Sequence, residues 1–260
     1  MDLFVFSSDP VLAAAAVVGS AAGVIVDWER RGKARRQAGE GTQINDDTPA
    51  DLAAVRAATP GRVLCRINAA GPWSAAEIDL AIELGADEVL LPMVRRPAEV
   101  DLALAAADGR CGVGILIETR DAVTRAADLA ARPLSRVYVG LNDLRIDRGS
   151  TELFAPLVDG TVERVAEAVG RTPFGVAGLT LPDRGDPVPS RLLAAELARL
   201  GASFTFLRRS FHADAAGLDL GSCLRSIGDH CDQLGRRDRQ QVAADRRSLE
   251  ATLSAAAVSA

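Results

Sequence analysis

Histidine and cysteine are scarce in this chain: two and four residues out of 260. Cys65, Cys111, Cys223 and Cys231 form no CxxC pair. With so few histidines beside them they offer neither a zinc site nor a disulfide framework, and a reducing, cytoplasmic setting is the simple expectation. An excess of positive charge is missing too, because 30 Lys and Arg stand against 35 Asp and Glu, for a formal charge of −5. That leaves no electrostatic footprint for nucleic acid or for an anionic membrane surface. There is no P-loop and no dinucleotide fingerprint, so Gly175 and Gly178 are read as aids to close packing or a tight strand end. The mostly apolar stretch from Val11 to Val26 lacks a basic n-region, contains Gly19-Ser20 and Gly23, and runs into Asp27. It reads as a helix followed by a strand, not as a leader or a membrane span.

What the chain does have is a regular alternation of apolar runs and helical stretches. Leu3–Phe6, Gly23–Val26, Arg62–Asn68, Glu88–Val94, Val113–Thr119, Arg136–Leu144, Phe174–Thr180 and Ser203–Arg209 are β-patterned. Between them lie helices marked by start signals: Pro10, Thr48-Pro49, the capping box Ser74-Ala-Ala-Glu77, Pro97, an unbroken helix over 120–131, and Ser190. The runs are continuous rather than alternating, as in strands covered on both faces. Eight strand–helix units in about 250 residues define the fold class as α/β, a (β/α)8 TIM barrel, with a doubly wound open sheet as the alternative. The barrel is assigned to residues 1–212. Residues 213–260 form a C-terminal helical extension packing on the barrel or on a neighbouring subunit. Its basic residues read as a solvated face, and its last eight residues are open to disorder.

In such a fold the polar residues at strand C-termini are read together. They are Asp27 and Glu29, Arg66 and Asn68, Glu118, Asn142 and Asp143, and Arg208 with Arg209. Alternation sends Gly114, Leu116 and Glu118 to the barrel axis and Val113, Ile115 and Ile117 to the helices. It places Asp27 with Glu29, and Arg66 with Leu64 and Asn68, leaving Cys65 on the helix side. Asp143 lies beyond Gly140, where alternation no longer orients it. Arg208 and Arg209 are expected on opposite sides, at least one in a structural ion pair. Lys33, Arg35 and Arg36 read as a solvated cluster on the long polar loop through Asn45-Asp-Asp-Thr48, with gating of an anion as the alternative. Oxygen-only ligands favour Mg2+ or Mn2+ over zinc. An opposing arginine suits a carboxylate or a developing oxyanion.

Val26-Asp-Trp-Glu29, Leu64-Cys-Arg-Ile-Asn68, Gly85-Ala-Asp-Glu-Val-Leu-Leu-Pro92, Ile115-Leu-Ile-Glu-Thr119 and Val139-Gly-Leu-Asn-Asp-Leu144 occur in order. Together they resemble the 2-oxo acid aldolase / citrate lyase β-subunit family of the phosphoenolpyruvate–pyruvate barrel superfamily, over roughly Leu3 to Phe211. The resemblance implies a metal-dependent carbon–carbon lyase or aldolase acting on a 2-oxo acid or related hydroxy acid through a metal-stabilised enolate. It implies Mg2+ or Mn2+ on Glu118 and Asp143. Arg66 and Asn142 are the substrate-binding candidates, and Arg66, Glu29 and Asp27 the catalytic ones, the two acids supporting metal-bound waters. It also implies a homo-oligomer, a trimer or hexamer. Two alternatives stay open: a citrate-lyase-β-like enzyme acting on an acyl-coenzyme A thioester, and a non-catalytic barrel serving as a binding subunit. Arg30 stands where the family carries a histidine or an aspartate after the second-strand glutamate, which leaves the proton-transfer residue unassigned.

Overall fold

In the computed structural model, residues 1–39 and 46–259 are described. The stretch of the polar loop from 40 to 45 lies outside them. Eight strands, β1 (Asp2–Phe6), β2 (Gly23–Asp27), β3 (Arg62–Arg66), β4 (Glu88–Leu91), β5 (Gly112–Ile117), β6 (Arg136–Val139), β7 (Phe174–Leu179) and β8 (Phe204–Leu207), pair in sequence order. Every pairing is parallel, and β8 returns to β1, closing the barrel. The helices cover its outside, so the strands are buried on both faces and can be apolar along their whole length.

The interior holds large side chains from every strand but β7: Phe4, Ile25, Leu64, Leu90, Leu116 and Tyr138 from β1 to β6, and Phe204 and Phe206 from β8. β7 contributes Gly175 at this level, where a Cβ would fall 2.7 Å from the Phe204 ring. The lower end is sealed by Arg136, whose Nε and Nη2 each donate to Glu88 at 2.6 Å. Its guanidinium lies 4.4 and 4.7 Å from the Phe4 and Phe204 ring centroids. Gly114 on the intervening strand leaves room for that pair. A packed floor of this kind leaves only the upper end for a site.

Several local expectations need correcting. Ser74 opens its helix but is not its N-cap; Trp73 is, with no side-chain cap bond, and Glu77 reaches back instead to Asn68. The helix expected over 120–131 is broken at Arg125 into Arg120–Thr124 and Ala126–Ala130. The sixth strand stops at Val139, and Leu141–Arg148 is helical, so Asp143 sits in a helix's first turn. Part of the polar loop folds as the short helix Lys33–Arg36. The C-terminal end is helical through Ser259. Of the extension, the helix Leu220–Leu234 buries Cys223, Leu224, Ile227 and Cys231 in the outer core. The helix Arg239–Ser259 docks through Arg246, which donates to Leu157 O at 2.7 Å and pairs with buried Glu196.

Candidate active site

The site starts from strand register. Asp27 and Arg66 are Cα partners across the β2–β3 pair, and side chains at partnered positions of parallel strands share a face. Arg66 therefore meets Asp27 as a two-pronged pair, Nε to Oδ1 at 2.8 Å and Nη2 to Oδ2 at 2.6 Å. Asp27 is fully buried and also accepts from Lys33 Nζ at 3.1 Å and Arg209 Nη2 at 3.3 Å. Burial alone would raise its carboxyl, but the Arg66 and Lys33 charges and hydrogen bonds outweigh it and hold Asp27 far below the ordinary carboxylate range.

Glu29, two residues on, faces the same cations. Its Oε1 accepts from Arg36 Nη2 at 2.6 Å. Its Oε2 lies 3.1 Å from Lys33 Nζ and 3.6 Å from Arg66 Nη1, yet neither contact is aligned as a hydrogen bond. Arg36 then bridges to the far side of the site, its Nε donating to Asp143 Oδ1 at 2.7 Å. Gln37 Nε2 sits 3.1 Å from both Asp143 oxygens. So the basic loop cluster read as solvated is partly internal: Lys33 is 2% exposed and Arg36 spans two acids, while Arg35 faces solvent. The acids at positions 27, 29 and 143 are what draw it in. A usable signal was present, since Glu29 and Lys33 are four residues apart and the strand-end acids Asp27, Glu29, Glu118 and Asp143 outnumber the strand-end arginines Arg66, Arg208 and Arg209.

Glu118 points to the axis as alternation requires. Its Oε2 accepts the Met93 N–H at 3.0 Å, and Met93 adopts φ 55°, in the left-handed region. Gly140 makes space for the other oxygen, because a Cβ there would lie 2.4 Å from Oε1. Among the described residues no basic side chain forms an ion pair with Glu118, although it is 3% exposed. Burial, with the nearby Asp143 and Glu29 charges, pushes its carboxyl up to about 8 against the weaker pull of Arg66.

Glu118, Asp143 and Asn142 line a cavity of approximately 590 Å³ with Arg66, Arg208 and Arg209. Arg208 and Arg209 do not split to opposite sides, since Arg209 has left strand geometry at φ −58°, ψ −34°. Asp27 and Glu29 lie behind the cavity wall, in contact with Lys33 and Arg66, which line it. Arg30 turns away and its guanidinium holds the carbonyls of Asp46 and Asp47. Asn68 clamps the same loop, accepting the backbone N–H groups of Arg30 and Arg31 at 2.9 and 2.7 Å.

This geometry fits a divalent cation. A buried carboxylate with no basic partner, repelled by two neighbouring acids, is relieved by a bound positive charge. Glu118 and Asp143 are the residues that would hold it. Arg36 shares Asp143 and so competes for that oxygen. Arg36→Ala is expected to tighten Mn2+ binding by about tenfold through loss of a like charge. Calorimetric titration checks this, and weaker binding in the variant would remove Arg36 from the role of competitor.

An upward-opening (β/α)8 barrel with a densely charged site at its strand C-termini is the class of protein the structure defines. No protein-family model matches the chain. A (3S)-malyl-CoA thioesterase of Cereibacter sphaeroides is 35% identical over 79 residues, which is 30% of this chain and 27% of that protein. The match thus spans about a quarter of the relative's length. The CitE protein of Mycobacterium tuberculosis, solved with magnesium, acetoacetate and coenzyme A, superposes with a TM-score of 0.63 at 20% identity, over 97% of this chain and 87% of that one. The citrate synthase SbnG gives 0.60 at 19% identity over 89% and 94%. At such identities the structural likeness carries the fold. Together with the sequence match it agrees with the resemblance to citrate lyase β-like proteins of the phosphoenolpyruvate–pyruvate superfamily.

Proposed function

We propose that this chain is a divalent-metal-dependent carbon–carbon lyase or aldolase acting on a 2-oxo acid or a related hydroxy acid. The observation that carries the reading is Glu118, an uncompensated buried carboxylate facing Asp143 and Glu29 beside a cavity also lined by Arg66. A bound Mg2+ or Mn2+ would polarise the 2-oxo group and offset the negative charge that develops there. Arg66, fixed by Asp27 through two hydrogen bonds, lines the cavity and would orient the anionic head of the substrate. Asn142 adds an amide on the same wall, its Oδ1 accepting from Arg145. Asp27 keeps Arg66 aligned, and Glu29 keeps Lys33 and Arg36 in place. With Arg30 facing away, Glu29 is the residue proposed for proton transfer, and Lys33 and Arg66, which lie 3.1 and 3.6 Å from its Oε2, separate it from the cavity. A homo-oligomer in the cytoplasm belongs to the same proposal.

The second reading, an acyl-coenzyme A substrate, is favoured by the malyl-CoA thioesterase match and by the coenzyme A bound to CitE. One assay separates the two. Mn2+-loaded protein is offered a 4-hydroxy-2-oxo acid and, separately, malyl-coenzyme A, and the release of pyruvate from the first, and of glyoxylate with acetyl-coenzyme A or of free thiol from the second, is followed. Pyruvate release that is abolished by chelation supports the lyase on free acids. Glyoxylate or thiol release without pyruvate moves the assignment to the thioester, and no product under either condition leaves the barrel as a binding subunit.

A further inference from the structure

Every base named at this site has an acid to answer it except one. Lys33 pairs with Asp27 and Glu29, Arg36 with Glu29 and Asp143, Arg66 with Asp27 and Glu29, and Arg209 with Asp27. Arg208 forms no ion pair among the described residues. Its backbone N–H is tied to Leu179 O at 2.8 Å and its Nε to Gly178 O at 3.2 Å. Among the described residues neither Nη group has a hydrogen-bond partner, and Nη1 lies beside Gly185. Gly178 makes this posture possible, since a Cβ there would lie 2.9 Å from Arg208 Cβ. The β7–β8 register shifts between Gly175 and Gly178, as a bulge does where it re-aims a side chain. The guanidinium is half-buried on the cavity wall beside Tyr138 and Phe206. Burial lowers its pKa, with Asp214 exerting only a weaker opposing pull, as for a cation held without its counter-ion. Asp186 is on the same rim, but it is exposed and unpaired with Arg208.

We propose that Arg208 is a second anion subsite, which binds a distal carboxylate and so makes the preferred substrate a 2-oxo dicarboxylic acid. This rests on the reading of Glu118 and Asp143 as the pole that holds the oxo-acid head. Asp143 follows β6 and Arg208 follows β8, two strands away and roughly 10 Å along the barrel wall, a span suited to a short dicarboxylate. A carboxylate matches better than a phosphate. A single guanidinium fork balances one negative charge and both carboxylate oxygens, whereas a phosphate dianion would keep a surplus charge in a half-buried place.

The test titrates Mn2+-saturated protein with 2-oxoglutarate and 2-oxopentanoate, equal in chain length and different only in the distal carboxylate. The expected preference for 2-oxoglutarate is about tenfold to hundredfold, falling to near one in Arg208→Gln. Circular dichroism verifies that the variant is folded. If it is not, Arg208→Lys serves, with an intermediate preference expected because the charge remains and the fork is lost. A wild-type ratio near one, a ratio unchanged in the variants, or a stronger preference for the analogue ending in phosphonate would each overturn the subsite. If 2-oxopentanoate binds and the ratio is one, only this inference falls. If neither acid binds, the oxo-acid reading falls with it.

Discussion

Arg66→Met is expected to destabilise the protein by about 3–5 kcal/mol at neutral pH, as found when one partner of a buried ion pair is removed. Asp27 is fully buried, and Arg66 supplies the two hydrogen bonds that match its carboxylate. Lys33 and Arg209 stay in contact, but at 3.1 and 3.3 Å both converge on Oδ2 and leave Oδ1, among the described residues, served only by the Glu29 N–H. The loss should depend on pH in a defined direction. Asp27 has a folded pKa below its unfolded value, so its contribution is present above the unfolded carboxylate range near 3.9 and fades as pH falls toward the folded value. The gap between wild type and Arg66→Met should therefore shrink below about pH 4. Replacing both residues, with Asp27→Asn beside Arg66→Met, should cost less than the sum of the single changes, because no lone buried charge is left. Urea unfolding measures all four proteins. A loss under about 1 kcal/mol at pH 7 would mean that Lys33 and Arg209 alone satisfy Asp27.

How much of this was legible in the sequence differs between barrel and site. The strands were readable because each is a short continuous apolar run, and alternation placed Leu116 and Glu118 inward and Cys65 outward, where they are found. Asp143 was found but put on the wrong element. Val139-Gly-Leu141 is apolar enough to look like more strand, whereas Gly140 ends β6 and begins the helix Leu141–Arg148. Ser74 and Glu77 have capping-box spacing, yet Glu77 has a better use in holding Asn68, and local pattern cannot weigh a tertiary partner against a cap. Lys33 and Arg36 were the substantive omission. A basic cluster in a polar loop is usually solvated, and what internalises this one is negative charge contributed by β2 and by the helix after β6. Contacts of that range leave no trace in local composition.

Glu118→Gln is expected to reduce Mn2+ affinity by about 100-fold or more while stabilising the metal-free protein at pH 8. Few roles other than a metal ligand combine those two signs. In the folded protein the Glu118 carboxyl titrates at about 8, held up first by burial and then by Asp143 and Glu29. In the unfolded chain it titrates near 4.3. Between these values the folded state keeps a proton that the unfolded state releases, so metal-free stability falls as pH rises through that window. Glutamine cannot ionise, and its amide can still accept the Met93 N–H, so the variant should not show the decline. The expected difference at pH 8 is on the order of 1–3 kcal/mol, or several degrees in Tm, after treatment with chelator. Adding Mn2+ should reverse the order, because the cation takes the proton's place in the wild type and gains affinity as pH rises toward 8. Thermal unfolding at pH 6 and pH 8, with and without Mn2+, reads all of these signs. A variant less stable than wild type at pH 8 without metal would make Glu118 a structural carboxylate satisfied by its surroundings. Retained Mn2+ affinity would move the metal away from the end of β5.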